Sequence, residues 1–150
     1  MRTFTTLDEV SAAAGEDIGT SDWLTIDQER VNQFAEATGD HQWIHVDVDR
    51  AKDGPFGGTI AHGYLTLSLV PFLGSQVLTF ETPGAKLNYG ANKIRFPNPV
   101  LVGKRIRAHV ALADVADLPK GKQATLRYTI EIEGETKPAC VAETVVLLLP

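Results

Sequence analysis

At 150 residues the chain is long enough for one domain that buries roughly 70% of the surface its unfolded form would expose. With 43% apolar and 22% charged residues it has the balance of a globular protein, which excludes a disordered chain. A net charge of −5 argues against general nucleic-acid binding, which needs a basic surface, and leaves a small-molecule protein as the expectation.

The N-terminal "MRTFTTLDEV" has no apolar core of signal-peptide length. "TTLDEVSAAAG" reads as a short helix entered from Thr5 or Thr6 and stopped by Gly15, and "SDWLTI" as a short extended piece. Thr25 and Gln28 form a T-x-x-Q capping box, followed by Val31, Phe34, Ala35 and Thr38 at helical spacing. Gly39 stands where a glycine ends such a helix, so Asp40 and His45, in "ATGDHQWIHVD", are expected in a loop. An offset of five separates two side chains by about 140° on a helix and puts them on opposite faces of a strand. Only a bend could turn this acid and this base toward one atom.

After the turn-rich "DRAKDGPFGGTIAHG", the segment "HGYLTLSLVPFLGSQVL" is apolar on nearly all sides, which predicts a helix buried all round, kinked or restarted at Pro71. Its apolar run is too short to span a bilayer, so no membrane partner is expected and the protein reads as soluble and cytoplasmic. The second half changes period. In "RIRAHVALADV" and "ATLRYTIEIEGE" apolar and polar residues alternate strictly, the mark of antiparallel strands with one face on a core. "AKLNYGANKIRF" and "ACVAETVVLLL" bracket them as further strands, and "LPKGKQ" and "EGETKP" read as turns. The lone Cys140 excludes an internal disulfide and is expected in a buried strand, and no Cys/His cluster has zinc spacing. The fold class is α+β: a buried helix followed by an antiparallel sheet able to wrap it.

Three polar features are expected near the junction of helix and loop: Asp40 with His45, His62-Gly63 at the helix start, and the polar face of "NYGANKIRF". Singly, each has an ordinary structural explanation as a turn residue, a hydrogen-bonded histidine, a packing glycine or solvated strand cations. Together they supply what catalysis on an acyl thioester needs, a proton-moving pair and a donor for the carbonyl oxygen, although spacing alone does not name the substrate. A histidine beside a carboxylate moves protons, and backbone N–H groups at the start of a buried helix can meet a carbonyl oxygen as it gains negative charge. Glycine there lets a ligand approach the backbone closely.

"FAEATGDHQWIHVDVDRA" followed by "PFGGTIAHGYLTLSLV" resembles the MaoC-like hydratases, the R-specific enoyl-CoA hydratase group of the hot-dog superfamily. Their motif is Asp-x-Asn-Pro-x-His with a later His-Gly. Asp40, His45 and His62-Gly63 match it, while Gln42-Trp43 replaces Asn-Pro. "NYGANKIRFPNPVLVGKRIRA" is similar to the strand after the helix in the single-domain, NodN-like branch. The resemblance implies a single hot-dog domain, a long helix wrapped by antiparallel sheet and paired into a homodimer. It implies reversible hydration of a trans-2-enoyl thioester, carried by CoA or an acyl-carrier protein, to the (R)-3-hydroxyacyl form without metal or cofactor. By carry-over Asp40 and His45 are the catalytic pair and the Gly63 N–H the oxyanion donor. His62, Trp43, Asn88, Tyr89 and Asn92 are then expected as substrate contacts, with Lys93 and Arg95 toward CoA phosphates. Trp43 could instead hold the turn by packing, which is favoured slightly. The rival activities are a hot-dog thioesterase and a non-catalytic acyl-CoA-binding module.

Overall fold

The computed structural model describes residues 1–150. The first third is helical and irregular: β1 (Arg2–Phe4), α1 (Leu7–Ala12), β2 (Asp17–Thr20), β3 (Leu24–Thr25), α2 (Gln28–Thr38), α3 (Trp43–Val46) and α4 (Val48–Lys52). Then come α5 (Gly63–Ser68) and α6 (Val70–Gly74), followed by β4 (Leu78–Phe80), β5 (Lys86–Arg95), β6 (Arg105–Asp117), β7 (Lys122–Ile132) and β8 (Cys140–Leu148).

The main sheet is antiparallel in the order β2-β6-β7-β8-β5, with β3 also on β6, while β1 and β4 form a separate parallel pair. The period-2 pattern sets its register. Ile106, Ala108, Val110 and Leu112 lie opposite Ile132, Ile130, Tyr128 and Leu126, and all eight are buried in the core. On the other face Arg105 pairs with Glu133 and Arg107 with Glu131. Cys140 is buried on β8, and burial pushes its thiol up to about 11, so it is a packing residue. No helix is long and apolar enough to cross a membrane.

The apolar segment after His62 differs from the expected helix in two ways. It is split at Leu69 into α5 and α6, with Pro71 in the first turn of α6, where its missing N–H costs nothing. Nor is it buried all round. Leu65, Leu69 and Leu73 are buried, whereas Tyr64, Ser68 and Phe72, also four residues apart, form an exposed stripe. The sheet covers one side of this element and leaves the other open. β5 lies at the sheet edge beside that open side, and its residues Lys86 to Lys93 are all exposed.

The predicted capping box at Thr25 is also replaced. The N-cap of α2 is Asp27, whose carboxylate accepts from the Arg30 N–H at 2.8 Å. The helix therefore starts later, and Gln28 is freed for another task. At the other end Gly39 takes the left-handed conformation (φ 82°) and its N–H reaches the Ala35 carbonyl at 2.8 Å, ending the helix where expected.

Candidate active site

Beyond Gly39 the chain makes a short turn and then a single helical turn, α3, rather than an open loop. Asp40 stays exposed in the turn and accepts weakly from the Gln42 N–H at 3.3 Å. His45, on α3, is 6% exposed. The short helix resolves the awkward offset of five by changing backbone conformation between the two residues. Ligand atoms of Asp40, His45 and His62 all lie within 4.8 Å of one another.

The hydrogen bonds fix how the imidazoles are used. His45 Nδ1 lies 2.7 Å from the Ile60 carbonyl oxygen. A carbonyl can only accept, so Nδ1 carries the proton and the neutral ring keeps its lone pair on Nε2. His62 Nε2 likewise donates to the Asp40 carbonyl at 2.9 Å, tying the turn to the start of α5. The His62 Nδ1 is buried without a partner. The two rings stack with centroids 3.9 Å apart and planes 22° apart, and Phe34 covers His62 at 4.9 Å. Burial lowers the His45 pKa below the ordinary histidine value. The bond to Ile60 opposes the shift, the neighbouring His62 adds to it, and Asp40 partly offsets it.

His45 and Gly63 line a cavity of about 300 Å³, together with Phe56, Thr66, Phe96 and Asn98. Gly63 opens α5, so its N–H has no acceptor within the helix. A Cβ there would lie 3.2 Å from the Phe96 ring, closer than ordinary van der Waals contact.

The remaining expected contacts are dispersed. His62 is 2% exposed, bonded to the Asp40 carbonyl and stacked on His45. Trp43 does not line the cavity. Arg50 lies over its ring at 4.1 Å, and a Cβ at Gly54 would come within 3.1 Å of it, so the indole packs against the turn. Asn88 and Tyr89 line a different cavity of about 460 Å³ between β5 and the open side of α5–α6. Asn92 donates to Glu143 at 3.0 Å, Arg95 turns back to the Ile94 carbonyl, and Lys93 is exposed on the same edge. Within one chain, β5 therefore does not meet the Asp40–His45 site. Sequence reasoning missed Ile60, whose contribution is a backbone carbonyl and leaves no side-chain signature. It also missed Phe96, whose only signal was an aromatic residue closing the "NKIRF" strand.

A helix backed by an antiparallel sheet, with an Asp/His pair beside the helix start, has the architecture of the hot-dog fold. The family model for the MaoC like domain matches residues 9–133, and the chain belongs to that family. It is 58% identical over 147 residues to the 3-hydroxyacyl-thioester dehydratase Z of Mycobacterium tuberculosis, covering 97% of each chain. It is 43% identical over 145 residues to Nodulation protein N of Rhizobium meliloti, covering 94% of this chain and 89% of the relative. Among solved structures it resembles the (R)-hydratase from A. caviae involved in PHA biosynthesis. That match has a TM-score of 0.73 and 28% identity over 90% of this chain and 97% of the other.

Proposed function

We propose that the protein is a hydro-lyase that reversibly adds water to a trans-2-enoyl thioester, giving the (R)-3-hydroxyacyl thioester. The observation that carries this reading is the bond from His45 Nδ1 to the Ile60 carbonyl. It leaves Nε2 as a proton acceptor in a cavity shared with Gly63, with Asp40 close by.

A water held by Asp40 and His45 attacks C3 as Nε2 takes one of its protons. The same proton is returned to C2, so the hydroxyl and the hydrogen add across the double bond and His45 ends neutral. The Asp40 carboxylate accepts the other hydrogen of the water and stabilises the transient imidazolium. The Gly63 N–H donates to the thioester oxygen as it becomes enolate-like, a contact whose loss typically costs ~3–4 kcal/mol in the barrier. The thioester itself acidifies C2, so no metal or redox cofactor is required. The similarity to a 3-hydroxyacyl-thioester dehydratase supports this choice over thioester hydrolysis.

The working unit in this proposal is a homodimer in the cytoplasm. The edge of β5 is unpaired and the stripe of Tyr64 and Phe72 lies open beside Leu87 and Tyr89, which are 48% and 69% exposed. A second copy would cover both features. It would also bring its own Asn88, Tyr89, Lys93 and Arg95 to the interface, where contacts to CoA or a carrier protein become available. The test of the reaction runs in reverse: the enzyme is given (R)- and (S)-3-hydroxyacyl-CoA and the conjugated enoyl absorbance is followed. The (R) form alone gains it under this reading; dehydration of the (S) form, or of neither, overturns it.

A further inference from the structure

Gln28 begins α2 and contributes nothing to its cap, yet its side chain joins three segments around His45. Its Nε2 donates to the His45 carbonyl at 2.8 Å and to Asn32 Oδ1 at 3.0 Å, and its Oε1 accepts from Thr59 Oγ1 at 2.6 Å. The amide can point only this way. The His45 carbonyl has no proton to give, so turning the amide over would set oxygen against oxygen. Thr59 is buried and immediately precedes Ile60, the acceptor of His45 Nδ1. Gln28 therefore holds both ends of that bond, one through the backbone of His45 and one through the residue before Ile60. The Ile60 N–H closes the same junction on the Ile44 carbonyl at 3.0 Å.

We infer that Gln28 is a positioning residue that keeps His45 in the tautomer protonated on Nδ1 and aims its Nε2 into the cavity. The inference rests on the reading of His45 as the proton-transfer group. It also identifies what braces the turn from behind: Trp43 packs its outer side, and Gln28 binds its inner side to α2 and to the chain entering α5. Without the clamp, α3 and the Ile60 carbonyl can move apart. The Nε2-protonated tautomer, which has no lone pair in the cavity, then becomes populated. Substrate contacts are untouched, so the loss falls on kcat and not on KM.

Two variants of the full chain test this. Gln28→Met keeps length and volume but removes all three hydrogen bonds. Gln28→Glu can still accept from Thr59, but when ionised it places a carboxylate against the His45 carbonyl. Imidazole nitrogen NMR on the neutral protein should show His45 protonated on Nδ1 in the wild type and a mixture of tautomers in Gln28→Met. In that variant kcat should fall about tenfold to a hundredfold, as misplacement of a reacting group does, with KM nearly unchanged. For Gln28→Glu, activity relative to wild type should rise as the pH falls through the carboxyl range, because the protonated acid regains a donor. An unchanged tautomer with wild-type kcat in Gln28→Met overturns the inference, as does a pH-independent activity ratio in Gln28→Glu. The NMR result needs no turnover, so it decides the role of Gln28 even if the wild type fails to hydrate enoyl thioesters, an outcome that would refute the proposed function alone.

Discussion

The imidazole of His45 lies against that of His62 with centroids 3.9 Å apart, and the two rings are anchored to different backbone carbonyls. The stacked arrangement gives each ring one task. His62 ties down the turn carrying Asp40, and His45, bonded through Nδ1 to Ile60, is among the residues that line the cavity. A proton on His45 would put a cation in a buried place beside another imidazole, which is why its pKa is lowered.

That shift has a pH signature in stability. A histidine whose folded-state pKa is depressed binds its proton more readily when unfolded. Its contribution to stability is full above the unfolded value of about 6.5 and is lost as pH falls through the folded value. Thermal unfolding of the wild type should therefore lose stability below about pH 6.5 more steeply than that of His45→Asn. Equal slopes would contradict the burial argument.

Removing either half of the pair should cost catalysis and spare the fold. Asp40→Asn and His45→Ala should each slow hydration by about 10²–10⁴-fold, the usual share of general acid–base catalysis. Far-ultraviolet circular dichroism should remain native. Near-normal rates in either variant would remove that residue from the mechanism.

Gly63 is tested with its neighbour. A Cβ at this position meets the Phe96 ring at 3.2 Å, and Phe96 is 42% exposed and able to yield. Gly63→Ala should lower kcat/KM about tenfold, or ~1.4 kcal/mol, by displacing the ring into the cavity. Adding Phe96→Ala should restore part of the loss. If the two effects simply add, the contact does not shape the site.

The packing of Trp43 predicts a stability effect at a distance from the chemistry. Gly54→Val would force atoms against the indole and the Ala51 carbonyl, both within 3.2 Å of a Cβ, and should destabilise the fold by about 1–3 kcal/mol. Denaturant unfolding measures this directly, and an unchanged midpoint would place Trp43 elsewhere.

Much of this was legible in the sequence because it rests on local rules. Period-2 alternation around Ile106 and Ile130 gave the sheet, and Gly39 gave the end of α2. The Asp40, His45 and His62-Gly63 spacing gave the family. What failed depended on partners distant in the chain. The burial pattern of "HGYLTLSLVPFLG" could not show that the sheet covers one side only, which left Tyr64 and Phe72 open. Gln28 looked like a cap because a capping box is local, whereas its actual partners, His45 and Thr59, lie 17 and 31 residues away. β5 followed the helix in the chain but lies beyond its open side.

The open edge of β5 predicts the assembly. Wild-type protein should sediment at twice the 16.3 kDa chain mass, and Leu87→Glu with Tyr89→Glu should shift it toward the single chain. A wild type that sediments as a monomer would contradict the paired arrangement.

Hydration is measured by adding the wild type, Asp40→Asn and His45→Gln in parallel to trans-2-enoyl-CoA of several chain lengths. Conjugated thioester absorbance and free thiol are measured together. The wild type should remove the absorbance without releasing thiol, and both variants should be at least about 100-fold slower. Persistent absorbance with the wild type at every chain length, or thiol release at the rate of its loss, would contradict it.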